Sequence, residues 1–533
     1  MTGRDRHLLL WGPTGVGKTT VGAALATRLS RRFLDLDRII EDEAGRSVPA
    51  IFAAEGEPGF RERERSALRA LLKRDEESVI ALGGGTLVDR ALRDEALRGA
   101  VVVTLLAAPR VIEARLSASP MGRPLVDSAT PEERSARLGA LLRSRAAAYA
   151  VGHLAIATDA LEPVAIAETI AVRLGGFVPL TISAANAYGV HLAPGAAAGS
   201  VAESVAAQYP TTSFLVTDAT VAALHLDPVV AAMSRAGHAP HVIVLPGGEP
   251  GKNIDSARSI VRELASHDAD RKSVLVALGG GVVTDTAGFA ASMFSRGIRW
   301  VAVPTTIIGM VDAAIGGKTG VNLEHAKNAI GAFHHPRAVI VDASLSRTES
   351  PRAIRSGLAE AVKSAAIIDS SFFEWFEENV SGLAASDPAL LENAVRRSVE
   401  IKTDVVERDP DEQDLRAILN FGHTVGHALE TAGRYETFTH GEAVSIGMVA
   451  AAKVGRALGV TPDDVCERLA RVLEALGLPT EAPASLREAA VSHLMADKKR
   501  EGSKIRFVVL ERMGRATTRH VTEAQVGDVL LGG

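Results

Sequence analysis

Residues 7–20 read HLLLWGPTGVGKTT, and this stretch decides the fold of the first part of the chain. The apolar run 7–11 has the length and residue types of a buried strand. A glycine turn follows at once, and a helical pattern begins at Lys18. A strand ending in G-x4-G-K-[ST] and opening a helix is built to cradle phosphate. Its glycines let backbone N–H groups curl round anionic oxygens, and the helix turns its positive end toward them. Gly12, Pro13, Thr14, Gly15, Val16, Gly17, Lys18, Thr19 and Thr20 are therefore the expected ATP-binding residues, with Lys18 reaching the transferring phosphate and the Thr19 hydroxyl on Mg²⁺.

Outward from this loop, short apolar runs at 32–37, 78–85, 101–106 and 153–159 alternate with helical patterns, which predicts a parallel sheet with helices on both faces. A helical stretch to Leu174 stops at Gly175-Gly176 and Pro179, a boundary signal. A second alternating series has runs at 214–218, 241–245, 273–281, 300–306 and 338–342, and beyond Ser344 helical periodicity dominates to about residue 495 before a last strand-like run, KIRFVVLER (504–512). The expected division is 1–174, an α/β phosphate-loop domain; 175–343, an α/β subdomain; and 344–533, a mostly helical subdomain. Residues from about 176 onward are expected to fold alone.

Composition is that of an ordinary globular protein: 533 residues, 47% hydrophobic, 23% charged, net charge −5. No general basic field points to nucleic acid or anionic membrane. No run approaches the roughly 18 apolar residues of a spanning helix, and nothing resembles a secretory signal, so the cytoplasm is the expected compartment. The single cysteine, Cys466, excludes an intramolecular disulfide and a Cys-rich zinc site, and reads as a buried helix residue.

After the phosphate loop come Asp35-Leu-Asp37, expected to project both carboxylates from one strand end, with Asp35 near the Mg²⁺. Then follow GEPGFRERE (56–64), Gly83-Gly84-Gly85, Arg115, Gly122-Arg123-Pro124-Leu125 and Arg145. In this order the segment 6–165 resembles shikimate kinase. The resemblance implies that Asp37, Arg61, Gly84, Gly85 and Arg145 hold shikimate. It makes Asp37 the group that helps deprotonate the attacking hydroxyl, and Arg123 a lid residue that touches ATP and steadies the transferring phosphoryl group. Two arginines suit a small carboxylate.

In the second part, Gly279-Gly280-Gly281-Val282 ends an apolar strand and continues to Asp285, a bare backbone turn before a helix that suits a pyrophosphate. Thr305, Thr306, Glu249, Lys252 and Asp218 stand at neighbouring strand ends. DAAIGGKT (312–319) and Lys327-Asn328 suggest an anion pocket. NFGHTVGHALE (420–430) places His423 and His427 at i and i+4 on one helix face. Glu360, His423 and His440 together offer one carboxylate and two imidazoles, a donor set with open positions suited to catalytic Zn²⁺ or Co²⁺.

The phrases GGGVVTDTAGF, IGGKTGVN, KNAIGAFHHP, GLAEAVK, NFGHTVGHALE and THGEAVSIGM resemble 3-dehydroquinate synthase over about 210–512. The resemblance implies NAD as a recycled oxidant and 3-deoxy-D-arabino-heptulosonate 7-phosphate as substrate. The substrate's C5 alcohol is oxidised, phosphate is eliminated, C5 is reduced again, and the opened ring recloses as a carbocycle. It makes Glu360, His423 and His440 metal ligands, and Lys363 and His427 catalytic proton carriers that also touch substrate. Arg296, Lys318, Asn328, Arg416, Asn420 and Lys498 are assigned to substrate. Asp218, Glu249, Lys252, Gly279, Gly280, Gly281, Val282, Asp285, Thr305, Thr306, Asp312, Lys318 and Lys327 are assigned to NAD or its edge.

The expectation is thus a bifunctional shikimate-pathway enzyme acting on small molecules. The alternatives are a kinase joined to another sugar-phosphate cyclase or polyol dehydrogenase, and a non-catalytic kinase-like regulatory domain. A simple dehydrogenase has no need of Lys318, Lys327 and Arg296 around a phosphate, and a degraded kinase has no need of a complete phosphate loop, Asp35, Asp37 and Arg123. Assembly of copies through the second part is left open by the sequence.

Overall fold

In the computed structural model of the chain, the residues described are 6–118, 130–159, 161–174, 180–182, 188–324, 326–410, 412, 415–496 and 505–532. Arg123, Lys498 and the stop expected at residues 175–179 lie outside them.

The first sheet contains β1 (His7–Trp11), β2 (Arg32–Asp35), β3 (Ser78–Ala81), β4 (Ala100–Leu106) and β5 (Leu154–Ala157) in the order β2-β3-β1-β4-β5, every pair parallel. β1, β3 and β4 are buried along their whole length, as expected of strands covered on both faces. Parallel pairing requires crossovers, and helices such as Lys18–Leu29 and Val48–Leu72 supply them.

The second sheet has seven strands. They are β6 (Leu180–Ile182), β7 (Tyr188–Leu192), β8 (Ser213–Asp218), β9 (His241–Leu245), β10 (Val274–Gly279), β11 (Arg299–Pro304) and β14 (Ala338–Val341), in the order β6-β7-β14-β11-β10-β8-β9. Only the β6–β7 pair is antiparallel. Two further hairpins stand apart: β12 (Lys318–Leu323) with β13 (Ala326–Phe333), and β15 (Ile505–Arg512) with β16 (Arg515–Val521). The single strand expected near the end is therefore half of a hairpin. β16 escaped notice because RATTRHV fully buries only Val521 and has almost no apolar face. The alanine-rich stretch near residue 200 is the helix Ala197–Ala206.

Helices dominate from Pro351 to Ala496, beginning with Pro351–Ile368, whose residues 356–367 are all buried. One continuous apolar core runs from Leu180 to Leu530, so the sheet and the helical part share it, while residues 8–174 form a core of their own. Among the described residues no helix is long and apolar enough to cross a membrane. Cys466 is half-buried and free, on the helix Asp463–Ala475.

Two candidate active sites

The phosphate loop needs glycine where it turns. Gly12, Gly15 and Gly17 have φ of 131°, 85° and 95°, and a Cβ on Gly12 would stand 2.1 Å from the Leu105 carbonyl oxygen. Lys18 lies back along the loop, its Nζ donating to the carbonyls of Gly12 (3.0 Å) and Pro13 (2.9 Å). Thr20 is exposed on the helix that follows, Val16 is buried, and the Thr19 hydroxyl donates to Asp35 Oδ2 at 2.8 Å.

The paired projection of Asp35 and Asp37 from a strand is corrected. β2 ends at Asp35, which caps the helix Leu36–Ala44 by accepting the Asp37 N–H at 3.1 Å, so Asp37 sits in the first helical turn. A side chain that caps a helix ends the strand alternation on which the expectation relied. Both carboxylates still face one pocket: burial pushes Asp37 up to about 6, and the charges of Glu64 and Asp35 add to the rise.

Gly83, Gly84 and Gly85 close that pocket. A Cβ on Gly83 would meet Glu64 Oε1 at 2.4 Å, one on Gly84 the Thr14 nitrogen at 3.2 Å, and one on Gly85 Arg61 Nη2 at 2.4 Å. Arg61 bonds Glu57 (2.8 Å) and the buried Glu64, and Arg145 donates to the Gly84 carbonyl at 3.2 Å. The Arg115 guanidinium holds the Thr158 hydroxyl (3.0 Å) and carbonyl (2.5 Å) and reaches the Val16 carbonyl of the phosphate loop at 3.5 Å.

The second site gathers around Glu360, which is 1% exposed on the helix Pro351–Ile368. His423 opens the helix His423–Ala432 and His440 opens His440–Ala457, and their Nε2 atoms stand 3.6 and 3.5 Å from Glu360 Oε1. Oε1 is buried and takes no hydrogen bond from the described residues. These spacings exceed a hydrogen bond. They match ligands of a tetrahedral ion, which at about 2.1 Å each lie roughly 3.4 Å apart. One ligand atom from each of the three residues fits within 4.8 Å, so this donor set suits a borderline-soft divalent ion.

Charge is dense here. Glu360 is ion-paired with Lys363, which is 2% exposed. Burial opposes the Glu360 charge, but Lys363 and His423 outweigh it and hold the carboxyl well below its usual range. Burial pushes His423 down to about 3, with Lys363 adding to the fall, so it is neutral and able to ligate. His440, against burial, is pushed up to about 10 by Glu360 and Glu430. The carboxylates thus demand a positive charge at the centre. His427, exposed, lies with its ring 5.3 Å from that of His423.

Beside this cluster Asp312 accepts from Lys402 Nζ at 2.5 Å and lies 4.0 Å from Lys363. Burial opposes its charge too, but Lys402 and Lys363 hold it well below the usual range. Lys252, buried, donates to Asp285 and Asn328, both at 2.6 Å. Burial pushes Asp285 up to about 6 despite Lys252. Lys327 donates to Glu430 at 3.0 Å and lies 4.0 Å from Glu249.

The Gly279–Gly281 turn opens the helix Gly281–Met293, which carries Val282 in its first turn. A Cβ on Gly280 would meet Thr306 at 3.1 Å, and the Thr305 N–H donates to the Gly279 carbonyl at 3.0 Å. Asp218 caps the helix Ala219–Arg235. Three expected substrate residues are less engaged. Arg296 is exposed on a left-handed turn (φ 65°), Asn420 is exposed, and Lys318, 53% exposed, pairs with Glu412. Arg416 is buried, donating to the carbonyls of Pro410 (3.0 Å) and Gly316 (3.4 Å).

Sequence reasoning gave no role to Glu64, Lys402 or Glu430. Glu430, 3% exposed, faces His440 Nδ1 with both oxygens at 3.4 Å while holding Lys327. Its position, three residues after His427 on one helix, was the available signal. Lys402 had only its place on the apolar face of the helix Pro388–Arg408.

Known proteins resemble both halves of the chain. The family models described as "Shikimate kinase", "3-dehydroquinate synthase N-terminal" and "3-dehydroquinate synthase C-terminal" match residues 14–174, 242–356 and 357–500. A 3-dehydroquinate synthase of Bordetella pertussis is 42% identical over 348 residues, covering 65% of this chain and 96% of that protein. The solved 2-epi-5-epi-valiolone synthase of Streptomyces hygroscopicus, with NAD+ and Zn2+ bound, is 29% identical (TM-score 0.58; 64% of this chain, 96% of that one). The shikimate kinase of Acinetobacter baumannii, in complex with shikimate, is 36% identical (TM-score 0.30; 31% of this chain, 90% of that one). The chain belongs to the 3-dehydroquinate synthase family and carries a shikimate kinase ahead of the synthase, which makes it a bifunctional shikimate-pathway enzyme.

Proposed function

We propose that the two activities are run by the two residue sets gathered above, one on each side of residue 174. In the first, Gly12–Thr20 bind ATP with Mg²⁺ held near Thr19 and Asp35. Arg61, Arg145 and the Gly84-Gly85 turn bind shikimate, and Asp37 accepts the proton of the attacking hydroxyl. A carboxylate raised to about 6 is a better proton acceptor than an ordinary one and is still mostly ionised at neutral pH. Arg123 completes the set as the phosphoryl-steadying lid residue.

In the second, Glu360, His423 and His440 hold one Zn²⁺ or Co²⁺. When bound, that ion polarises a substrate oxygen, and NAD supplies the hydride chemistry. The chain's own groups do the rest. Glycines 279–281 leave room for a pyrophosphate at a helix N-terminus, and Asp218, Glu249, Lys252, Asp285, Thr305, Thr306 and Lys327 line the NAD side. Lys363 carries a proton beside Glu360 and Asp312, and His427 exchanges protons with solvent from the open side. Arg416 and Asn328 position substrate, and Arg296, Lys318, Asn420 and Lys498 are proposed to close on it. The cytoplasm suits a chain whose one cysteine is unpaired.

The observation that carries the synthase assignment is the Glu360–His423–His440 spacing around an unbonded buried carboxylate oxygen. Purified full-length chain, stripped with a chelator and given Mg²⁺ alone, should phosphorylate shikimate and fail to form dehydroquinate. Dehydroquinate formation at the original rate, with no tightly held transition metal, sinks the metal assignment.

A further inference from the structure

Gly84 has no side chain, and its backbone lies against the phosphate loop. Its carbonyl accepts two described hydrogen bonds, from Arg145 (3.2 Å) and from the Tyr149 hydroxyl (2.7 Å). If Arg145 turns to the substrate carboxylate, Tyr149 alone holds the carbonyl. Tyr149 is 1% exposed, and its ring contacts two others. Trp11, the last residue of β1, lies 4.9 Å away, and Tyr209 meets it edge-on at 6.5 Å.

Tyr209 belongs to the other half of the chain. It follows the helix Ala197–Ala206 in a left-handed conformation (φ 44°), which is unfavourable for an aromatic residue, yet its side chain packs against the core of residues 8–174. Its backbone is held from the synthase sheet, where Arg299 at the start of β11 donates to the Gln208 carbonyl at 2.5 Å. The helix before it is tied across the joint by Arg173–Glu203 at 2.7 Å and by the apolar group Leu106, Ala150 and Ala207.

We propose that Tyr209 is a positioning residue for the kinase: supplied by the synthase half, it fixes the Tyr149 ring, whose hydroxyl sets the Gly84 carbonyl in the shikimate-binding turn. The inference rests on the reading of Gly84 as part of the shikimate site. It makes the kinase site incomplete without the chain beyond residue 174.

Steady-state kinetics on the full-length chain test it. Tyr149→Phe, which removes one hydrogen bond, should raise the KM for shikimate roughly three- to ten-fold with the KM for ATP unchanged. Tyr209→Ala should raise the same KM about two- to five-fold. Tyr209→Phe should leave it at the wild-type value, because the Tyr209 hydroxyl is buried without a hydrogen-bond partner among the described residues. Synthase rates should not move in any of the three. Should the alanine variant not fold, Tyr209→Leu fills the space without the ring edge and should show the same shift. A merely structural role would lower the melting temperature and leave the KM for shikimate untouched, and that outcome overturns the proposal. Equal increases in both KM values also overturn it. A wild-type chain that does not phosphorylate shikimate would overturn the kinase reading itself.

Discussion

In the kinase half, the polar atoms facing the pocket come largely from backbone turns, Gly12–Gly17 and Gly83–Gly85, with arginines paired at the rim. In the synthase half they come from side chains on three helices, with Glu360 and Lys363 almost wholly buried. Backbone N–H groups bind an anion without carrying charge into the interior. A site that holds a cation needs carboxylates and imidazoles, and these are stable when buried only with partners. The first site therefore leans on fixed backbone dipoles beside a few charged side chains, while the second depends on a closed charge balance.

Removing a metal ligand should break the second site alone, and most severely. His440→Ala is expected to lower dehydroquinate formation by at least about a thousand-fold and to abolish stoichiometric metal in the purified protein, leaving shikimate phosphorylation intact. Metal content and both products, measured on one preparation, decide it. Retained stoichiometric zinc in the variant argues for a different ligand set.

The reciprocal break is Lys18→Ala, expected to lower kinase turnover on the order of a thousand-fold while synthase turnover is kept. Loss of both activities in a folded chain would show that the halves are not chemically separable.

The charge balance can be sharpened by leaving one partner alone. In the metal-free chain Lys363→Met leaves the buried Glu360 with only the imidazoles of His423 and His440 beside it, and breaking such a buried pair costs about 3–5 kcal/mol. Denaturant unfolding should show the loss in the synthase transition. Arg61→Met also leaves a buried carboxylate, but Glu64 keeps the Thr86 hydroxyl as a donor at 2.6 Å, so the loss should be smaller. Equal losses would erase the distinction between the two sites.

The smallest expected effect is on pH. Asp37 titrates at about 6 in the folded chain rather than at the ordinary 3.8. Between those values the folded state holds more protons, so the contribution of Asp37 to stability is present below 3.8 and is lost as pH rises through 6. Turnover runs the other way: the kinase rate should fall roughly ten-fold per unit below pH 6 as the acceptor is protonated. Asp37→Asn should lack that limb at a lower plateau. A rate that stays flat to pH 5 removes Asp37 as the proton acceptor.

Local signals were legible in the sequence wherever one short segment carries the whole physics. The strand–loop–helix at 7–20 is such a segment, as are the glycine turn at 279–281 and the histidine pair on one helix face. A backbone turn that must adopt positive φ or approach another chain closely admits glycine and little else, so its letters betray it. Composition and the alternation of strand and helix patterns likewise sufficed for two successive α/β units.

Only the tertiary structure decided what meets across distance. It drew Lys402 to Asp312 and Glu430 to both His440 and Lys327. It turned Arg115 toward Thr158, moved Asp37 from a strand into a helix, and set Tyr209 against the opposite half. Each of these depends on which helix packs on which sheet. A lone lysine, glutamate or tyrosine has the same local pattern whether it faces water or a buried partner, so its role appears only when packing supplies the partner.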